Sequence, residues 1–216
     1  HARPGCSARL HQLSAADSDK DGGVRRFELT SMGSEESSLY REPLTDKGWS
    51  DALRYARERM SGRDRVLAVS IVSRIDRAIA WLDPVMAGYC EQSCPTCGDP
   101  CCHGKRIFYN FADLLVLTVR DTSLPPGQTR TATGEGCRYL TSAGCALSRY
   151  HRPYVCVWFL CEPQMKLLQE ESVRFQRTFL GALLEIREGR VALEALAVGR
   201  ESDTTDQRAA RDKKKA

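Results

Sequence analysis

Cysteine is concentrated in the middle of this chain. Nine of its ten cysteines lie between Cys90 and Cys161, in two groups separated by a long stretch without any. In order they are Cys90, Cys94, Cys97, Cys101, Cys102, Cys137, Cys145, Cys156 and Cys161. A packed apolar core does not need so many thiols, so the cysteines of this part are expected to have a chemical role as well as a packing role.

Two kinds of chemistry use cysteines at this density, namely disulfide formation and metal binding. A chain of 216 residues can bury a sizeable apolar core, so it needs no disulfides merely to fold. The Cys94-x-x-Cys97 spacing and the adjacent Cys101 and Cys102 are typical of thiolate ligands in a reducing compartment. The sequence therefore favours metal binding over structural disulfides and predicts a cytoplasmic protein.

The spacing of the thiols limits how they can share a metal. Cys94-x-x-Cys97 allows two sulfurs to reach one ion, whereas consecutive side chains such as Cys101 and Cys102 point in opposite directions in an extended segment. Zinc and iron–sulfur clusters both take four thiolates. Eight sulfurs would therefore make two four-thiolate sites, or one four-ligand cluster with further structural or reactive thiols.

The order and surroundings of these cysteines resemble a family of cysteine-cluster proteins described as chelating zinc or iron. The matching pieces, within about residues 90–165, are Cys94-Pro-Thr-Cys97-Gly98, Cys101-Cys102, Cys137-Arg-Tyr139-Leu140, Cys145, Arg152-Pro153-Tyr-Val-Cys156 and Cys161. The resemblance implies that eight cysteines are ligands and that Cys90 and Cys6 are additional. The segment from Cys97 to Cys101 is one residue longer than the family pattern, so either Cys101 or Cys102 occupies the usual ligand position.

Three functions are compatible with this pattern. The first is a protein that holds zinc or an iron–sulfur cluster through eight thiolates in a structural or electron-carrying role. The second is an iron–sulfur-dependent redox or group-transfer enzyme, because flagellin lysine methylases share a similar cluster. The triplet Cys90-x3-Cys94-x2-Cys97 also occurs in radical S-adenosylmethionine enzymes, but this chain lacks their repeated strand–helix units. No dinucleotide-binding or phosphate-loop motif supports an enzyme. The third function is a response to calcium, and it depends on the N-terminal region.

Two side chains beside the cysteines are candidates for supporting roles. His103 follows the adjacent pair directly and could contact or replace a sulfur. Arg152 could donate hydrogen bonds to a sulfur or orient a neighbouring loop, as residues around metal ligands often do.

A segment near the N-terminus fits the twelve-residue loop of an EF-hand. Asp17, Asp19 and Asp21 occupy the first, third and fifth positions, and Gly23 would contribute its carbonyl. Glu28 stands where a bidentate carboxylate completes the calcium shell. Arg25 places a positive charge near the cation, and no second hand follows. This loop makes a calcium-responsive regulatory module the third functional prediction.

The remaining sequence predicts a mainly α fold, with helices packed around the irregular cysteine-rich centre and little β structure. We expect a polar N-terminal region (1–50), a helical domain (51–199) with its cysteine core at 90–161, and a disordered basic tail (200–216). Helices are predicted over 51–60, 64–82, 111–119, from 163 onward, and over 190–198 after a break at Gly189. Leu67 and Ile71 begin the apolar stripe of the second helix.

Charge and hydropathy exclude two classes of partner. The net charge of +4 is too small to indicate nucleic-acid binding. No apolar run approaches the about 20 residues that a membrane-spanning helix requires. A protein partner or a substrate is expected, but no motif indicates its class.

Overall fold

The computed structural model describes residues 16–18, 24–26, 45–62, 64–98, 100–103, 107–120, 124–132, 135–142 and 144–212, with side chains between 45 and 198. Within these ranges it contains six α-helices, one short 3-10 helix and two pairs of very short strands. The predicted mainly α fold is confirmed.

The helices are α1 (Asp46–Arg59), α2 (Arg65–Ser93), α3 (Phe111–Arg120), α4 (Tyr154–Trp158), α5 (Glu162–Glu170) and α6 (Val173–Asp212), and the 3-10 helix (Arg149–His151) precedes α4. The strands β1 (Ala16–Ser18) and β2 (Val24–Arg26) pair antiparallel, as do β3 (Leu140–Thr141) and β4 (Gly144–Cys145). No helix of the described part is both long and apolar enough to cross a membrane.

Helix α1 begins earlier than the sequence predicted. Thr45, not Ser50, caps it, because the Thr45 hydroxyl accepts a hydrogen bond from the backbone N–H of Gly48 at 3.1 Å. The extra turn brings Trp49 into the core, where it is almost fully buried. The Trp49 indole N–H donates to the carbonyl of Pro125 at 3.0 Å, which ties α1 to a later loop.

Helix α2 is the longest fully described element and extends beyond its predicted end at Leu82. The helix passes through Pro84 and ends at Ser93. Met86 and Tyr89 continue its buried face, and their burial offsets the loss of the backbone hydrogen bond that proline cannot donate. The predicted apolar stripe is buried from Ile71 onward, but Leu67 is 52% exposed and Ala68 faces the core instead.

Helix α3 lies in the centre of the apolar core. Every side chain from Phe111 to Val119 is buried, including the carboxylate of Asp113. Asn110 and Asp113 cap the helix reciprocally, each accepting a hydrogen bond from the other's backbone N–H. Asp113 also forms a buried ion pair of 2.5 Å with Arg190 of α6, so one polar network joins the two helices.

Helix α6 runs without a break through Gly189, contrary to the prediction of two separate helices. Gly189 is buried where α6 crosses α2, and a Cβ atom there would lie 2.7 Å from Cγ1 of Ile75. The glycine therefore permits close helix packing instead of ending the helix. The helical backbone continues through Asp212, so residues 200–212 are helical in the structure where the sequence predicted a disordered tail.

Candidate metal centre

The cysteines come from several different elements. Cys90 lies in the last turn of α2, and Cys94 follows that helix directly. Cys145 lies on β4, Cys156 on α4, and Cys161 at the N-cap of α5. The remaining described cysteines lie on irregular segments and are Cys97, Cys101, Cys102 and Cys137. All nine are free thiols, so the structure contains no disulfide among its described residues.

Backbone hydrogen bonds join the two cysteine groups of the sequence. The N–H of Cys137 donates to the carbonyl of Cys102 at 3.0 Å. Nη2 of Arg130 donates to the same carbonyl at 3.3 Å. The second group is therefore folded back onto the first, as expected if both contribute to one centre.

Gln164 brings Cys90 to this centre. Its side chain is buried, and its Nε2 donates to the sulfur of Cys90 at 3.5 Å. Its Oε1 accepts from the backbone N–H of Cys161 at 3.4 Å. Cys90, which the family resemblance leaves outside the ligand set, thus lies beside one of the proposed ligands, whereas Cys6 falls outside the described residues.

The thiols influence one another electrostatically. Burial raises the pKa of Cys94 to about 11, and the neighbouring Cys90 and Cys101 contribute to that increase. The pKa of Cys102 is raised first by its hydrogen bond with Cys101, then by burial, Cys156 and Cys137. Because a thiolate disfavours a second thiolate nearby, the neighbouring cysteines raise these pKa values in the same direction as burial does.

The same pattern includes the two last cysteines. Burial raises the pKa of Cys156, with smaller contributions from Cys101, Cys145 and Cys137. Burial also raises the pKa of Cys161, and the nearby Cys101 and Cys97 contribute. At neutral pH the thiols of Cys156 and Cys161 therefore keep their protons, and a cation bound by them would have to displace these protons.

Arg130 places a positive charge beside the thiols. The residue is only 2% exposed, and its guanidinium lies 5.8 Å from the ring centre of Phe108. Among the described side chains no carboxylate forms an ion pair with it, and its Nε has no hydrogen-bond partner there. A buried charge without a counter-charge is costly, so this position favours an anionic group nearby. Neither the sequence pattern nor the resemblance indicated this residue.

A buried amide holds the loop that carries Arg130. Gln128 is fully buried, accepts from the N–H of Tyr109 at 2.8 Å and donates to the Tyr109 carbonyl at 3.1 Å. The hydroxyl of Tyr139 donates to the carbonyl of Gly127 at 2.5 Å. Regular secondary structure is scarce in this region, so these side chains position its backbone.

The donor set suits a thiophilic metal, but the thiols are spread out. Among the described residues, no three Cys, His, Asp or Glu side chains are arranged to hold one ion. Zinc requires four ligands at about 2.0 to 2.3 Å.

The predicted supporting and calcium-binding residues have different positions. Arg152 donates from Nε to the carbonyl of Leu147 at 3.0 Å, which ties it to the neighbouring loop. The side chain of His103 is exposed. Of the EF-hand-like loop, Asp17 lies on β1, and the structure does not describe the other predicted calcium ligands, Asp19, Asp21, Gly23 and Glu28. Calcium binding stays a prediction.

Comparisons of the chain with protein-family models, with curated proteins and with solved structures gave no match. The resemblance to zinc- or iron-chelating proteins therefore depends on the cysteine motifs alone. The arrangement of the thiols in this fold is the basis for any functional assignment.

Proposed function

We propose that this chain is a metal-binding protein whose cysteine thiolates hold zinc, or an iron–sulfur cluster, in a structural role. The observation that carries the proposal is a set of nine free thiols on separate elements, some of them joined by direct contacts: Cys137 donates to the carbonyl of Cys102, and Gln164 connects Cys90 to Cys161. Both metals take four cysteine thiolates, so the donor set serves either one. A reducing compartment such as the cytoplasm would keep these thiols available.

The buried Arg130 supports the same function. A dication held by four thiolates carries a net negative charge, whereas protonated thiols carry none. Metal binding would therefore supply the counter-charge that Arg130 lacks among the described residues. The carbonyl of Cys102 already fixes the guanidinium beside the thiols.

A structural role fits the surroundings better than a catalytic one. The described cysteines connect segments that are mostly irregular, and metal cross-links stabilise such segments where apolar packing is thin. A cleft of about 420 Å³ lies between α2, the end of α3 and the 3-10 helix, with Val72, Arg120 and His151 in its wall. Its described lining contains no cysteine, so a ligand there would not touch the metal centre.

Anaerobic purification followed by elemental analysis and absorption spectroscopy tests the proposal. We expect stoichiometric zinc in a colourless protein, or iron with sulfide in a coloured one. Removing the metal with a chelator should lower the melting temperature, because metal that binds the folded state stabilises it. A protein that contains neither metal, and that neither zinc nor iron stabilises after reduction, would contradict the proposed function.

A further inference from the structure

Helix α6 carries a second face besides the one that packs against the core. Between Gly181 and Val198 the exposed residues recur at alternating steps of three and four, and every other residue there is buried or half-buried. This spacing is the repeat of a coiled-coil seam, along which one helix packs against another. The set, called the seam below, is about 26 Å long. It consists of Gly181, Leu184, Glu188, Val191, Ala195 and Val198.

The seam exposes large apolar side chains to solvent. Leu184, Val191 and Val198 are 40%, 55% and 38% exposed. The other face of α6, which includes Phe179 and Ile186, is buried in the core and already attaches the helix to the rest of the fold. A surface helix normally has one apolar face. A second apolar face in coiled-coil register therefore indicates a helical partner.

The seam alternates large and small residues, so it is complementary to itself when a second copy runs antiparallel. A two-fold axis through the middle of the seam would set Leu184 of one copy against Ala195 of the other. The same axis would set Val198 against Gly181, where a Cβ atom would meet nothing within 4 Å. Each of these large side chains thus finds a small residue in the other copy.

Charges at the two ends of the seam favour the same orientation. Arg174 and Arg177 continue the seam toward the start of α6, and both are exposed. In the other direction Glu201 and Asp206 flank its continuation along the helical backbone. Antiparallel pairing would bring Arg177 to Glu201 of the other copy and Arg174 to Asp206, so opposite charges would meet at both ends.

Parallel pairing has no such match. It would place Arg174, Arg177 and Glu188 each against the same residue of the other copy. Three layers of the seam would then hold like charges, which repel each other. The distribution of charge along α6 therefore selects a second copy of the chain in antiparallel orientation.

We propose that two copies of this chain form a symmetric dimer in which their α6 helices pair antiparallel along the seam. The seam contains no cysteine, so the dimer is independent of the proposed function. A single helix pair of this length is smaller than a standard protein interface. The dimer should therefore dissociate on dilution.

Sedimentation equilibrium of the full chain, kept reduced so that no disulfide joins the copies, tests the proposal. Over about 1 to 200 µM we expect the mass to rise from that of a monomer to that of a dimer. Val191→Glu places a charge in the middle of the seam and should abolish dimerisation. The matched control is Val69→Glu, because Val69 is 44% exposed in the wall of the cleft beside α2 and lies outside the seam. It should dimerise as the unsubstituted chain does.

An exchange of charges tests the orientation. Arg177→Glu should weaken dimerisation by about 10-fold, because two symmetric contacts with Glu201 become repulsive. Adding Glu201→Arg to that variant should restore it. A chain that stays monomeric over the whole range, or dimerisation of Val191→Glu equal to that of Val69→Glu, would overturn the dimer. Failure of Glu201→Arg to restore the association would overturn the antiparallel pairing.

Discussion

Arg130 combines complete burial with a charge that no described carboxylate balances. It hydrogen-bonds to the carbonyl of Cys102 and lies beside the ring of Phe108. Its neighbour Gln128 is equally buried but satisfies its amide on the backbone of Tyr109. The two residues thus differ, since Gln128 holds the loop, whereas Arg130 supplies a buried positive charge beside Cys102 that the proposed metal centre would balance.

Substitution of Arg130 tests this role. We expect Arg130→Gln to weaken zinc binding by about 10- to 100-fold, the usual effect of removing a residue that supports metal ligands. Arg130→Lys should retain most of the affinity because it keeps the charge. The measurement is competition for zinc with a chelator of known affinity.

The matched control is Arg138→Gln, which removes the same formal charge from an exposed arginine that pairs with Asp46 at 3.1 Å. It should bind zinc as the unsubstituted chain does. Equal weakening in both variants, or none in Arg130→Gln when circular dichroism shows unchanged helix content, would assign Arg130 a packing role only.

At the scale of single elements, local sequence rules predicted the type of each helix better than its ends. Apolar periodicity identified α2, and Asn110 marked the start of α3, because both signals lie within a few residues. The sequence predicted a helix end at Leu82, just before Pro84, and a helix break at Gly189. Each is accommodated because of contacts with residues distant in sequence, and a local rule cannot include such contacts.

Gly189 provides a test of helix packing. Gly189→Ala should lower the free energy of unfolding by about 1 to 3 kcal/mol, because the new methyl group would overlap Ile75 of α2. Gly181→Ala on the same helix has open space around it and should raise stability by up to about 1 kcal/mol through helix propensity. Urea unfolding of both variants measures the difference, and equal stabilisation would show that α2 and α6 do not pack this closely.

For the molecule as a whole, the cysteine sequence predicted which thiols are concentrated in the chain but not which other residues contact them. The sequence alone favoured eight ligands without Cys90. Gln164, seventy-four positions away in the chain, connects that residue to Cys161. Arg130 likewise lacked a sequence signal, because its burial depends on Gln128 and on the loop that surrounds it. Spacing identifies ligand types, whereas tertiary contacts determine which of them meet.

The protonated thiols of the metal-free protein predict a pH dependence of its stability. The raised pKa values of Cys94 and Cys161 mean that these two thiols bind a proton at neutral pH, and zinc held by them would have to displace it. Metal affinity therefore falls as pH falls. The difference in melting temperature between zinc-loaded and metal-free protein should shrink between about pH 8 and about pH 6.

Calorimetry of both forms at each pH measures this difference, and the metal-free form corrects for all other titrating groups. A difference that stays constant across the range would mean that zinc binding displaces no protons. That outcome would exclude protonated thiols as the zinc ligands.

The last turn of α2, which places Cys90 and Cys94 one helical turn apart, also has a consequence for the order of folding. Cys90, Cys94 and Cys97 lie so close in the chain that gathering them costs little loop-closure entropy, whereas Cys102 and Cys156 must close a long loop. Contacts between near neighbours form faster than distant ones. A metal bound as proposed would therefore first meet the thiols at the end of α2, before the more distant cysteines of the chain reach them.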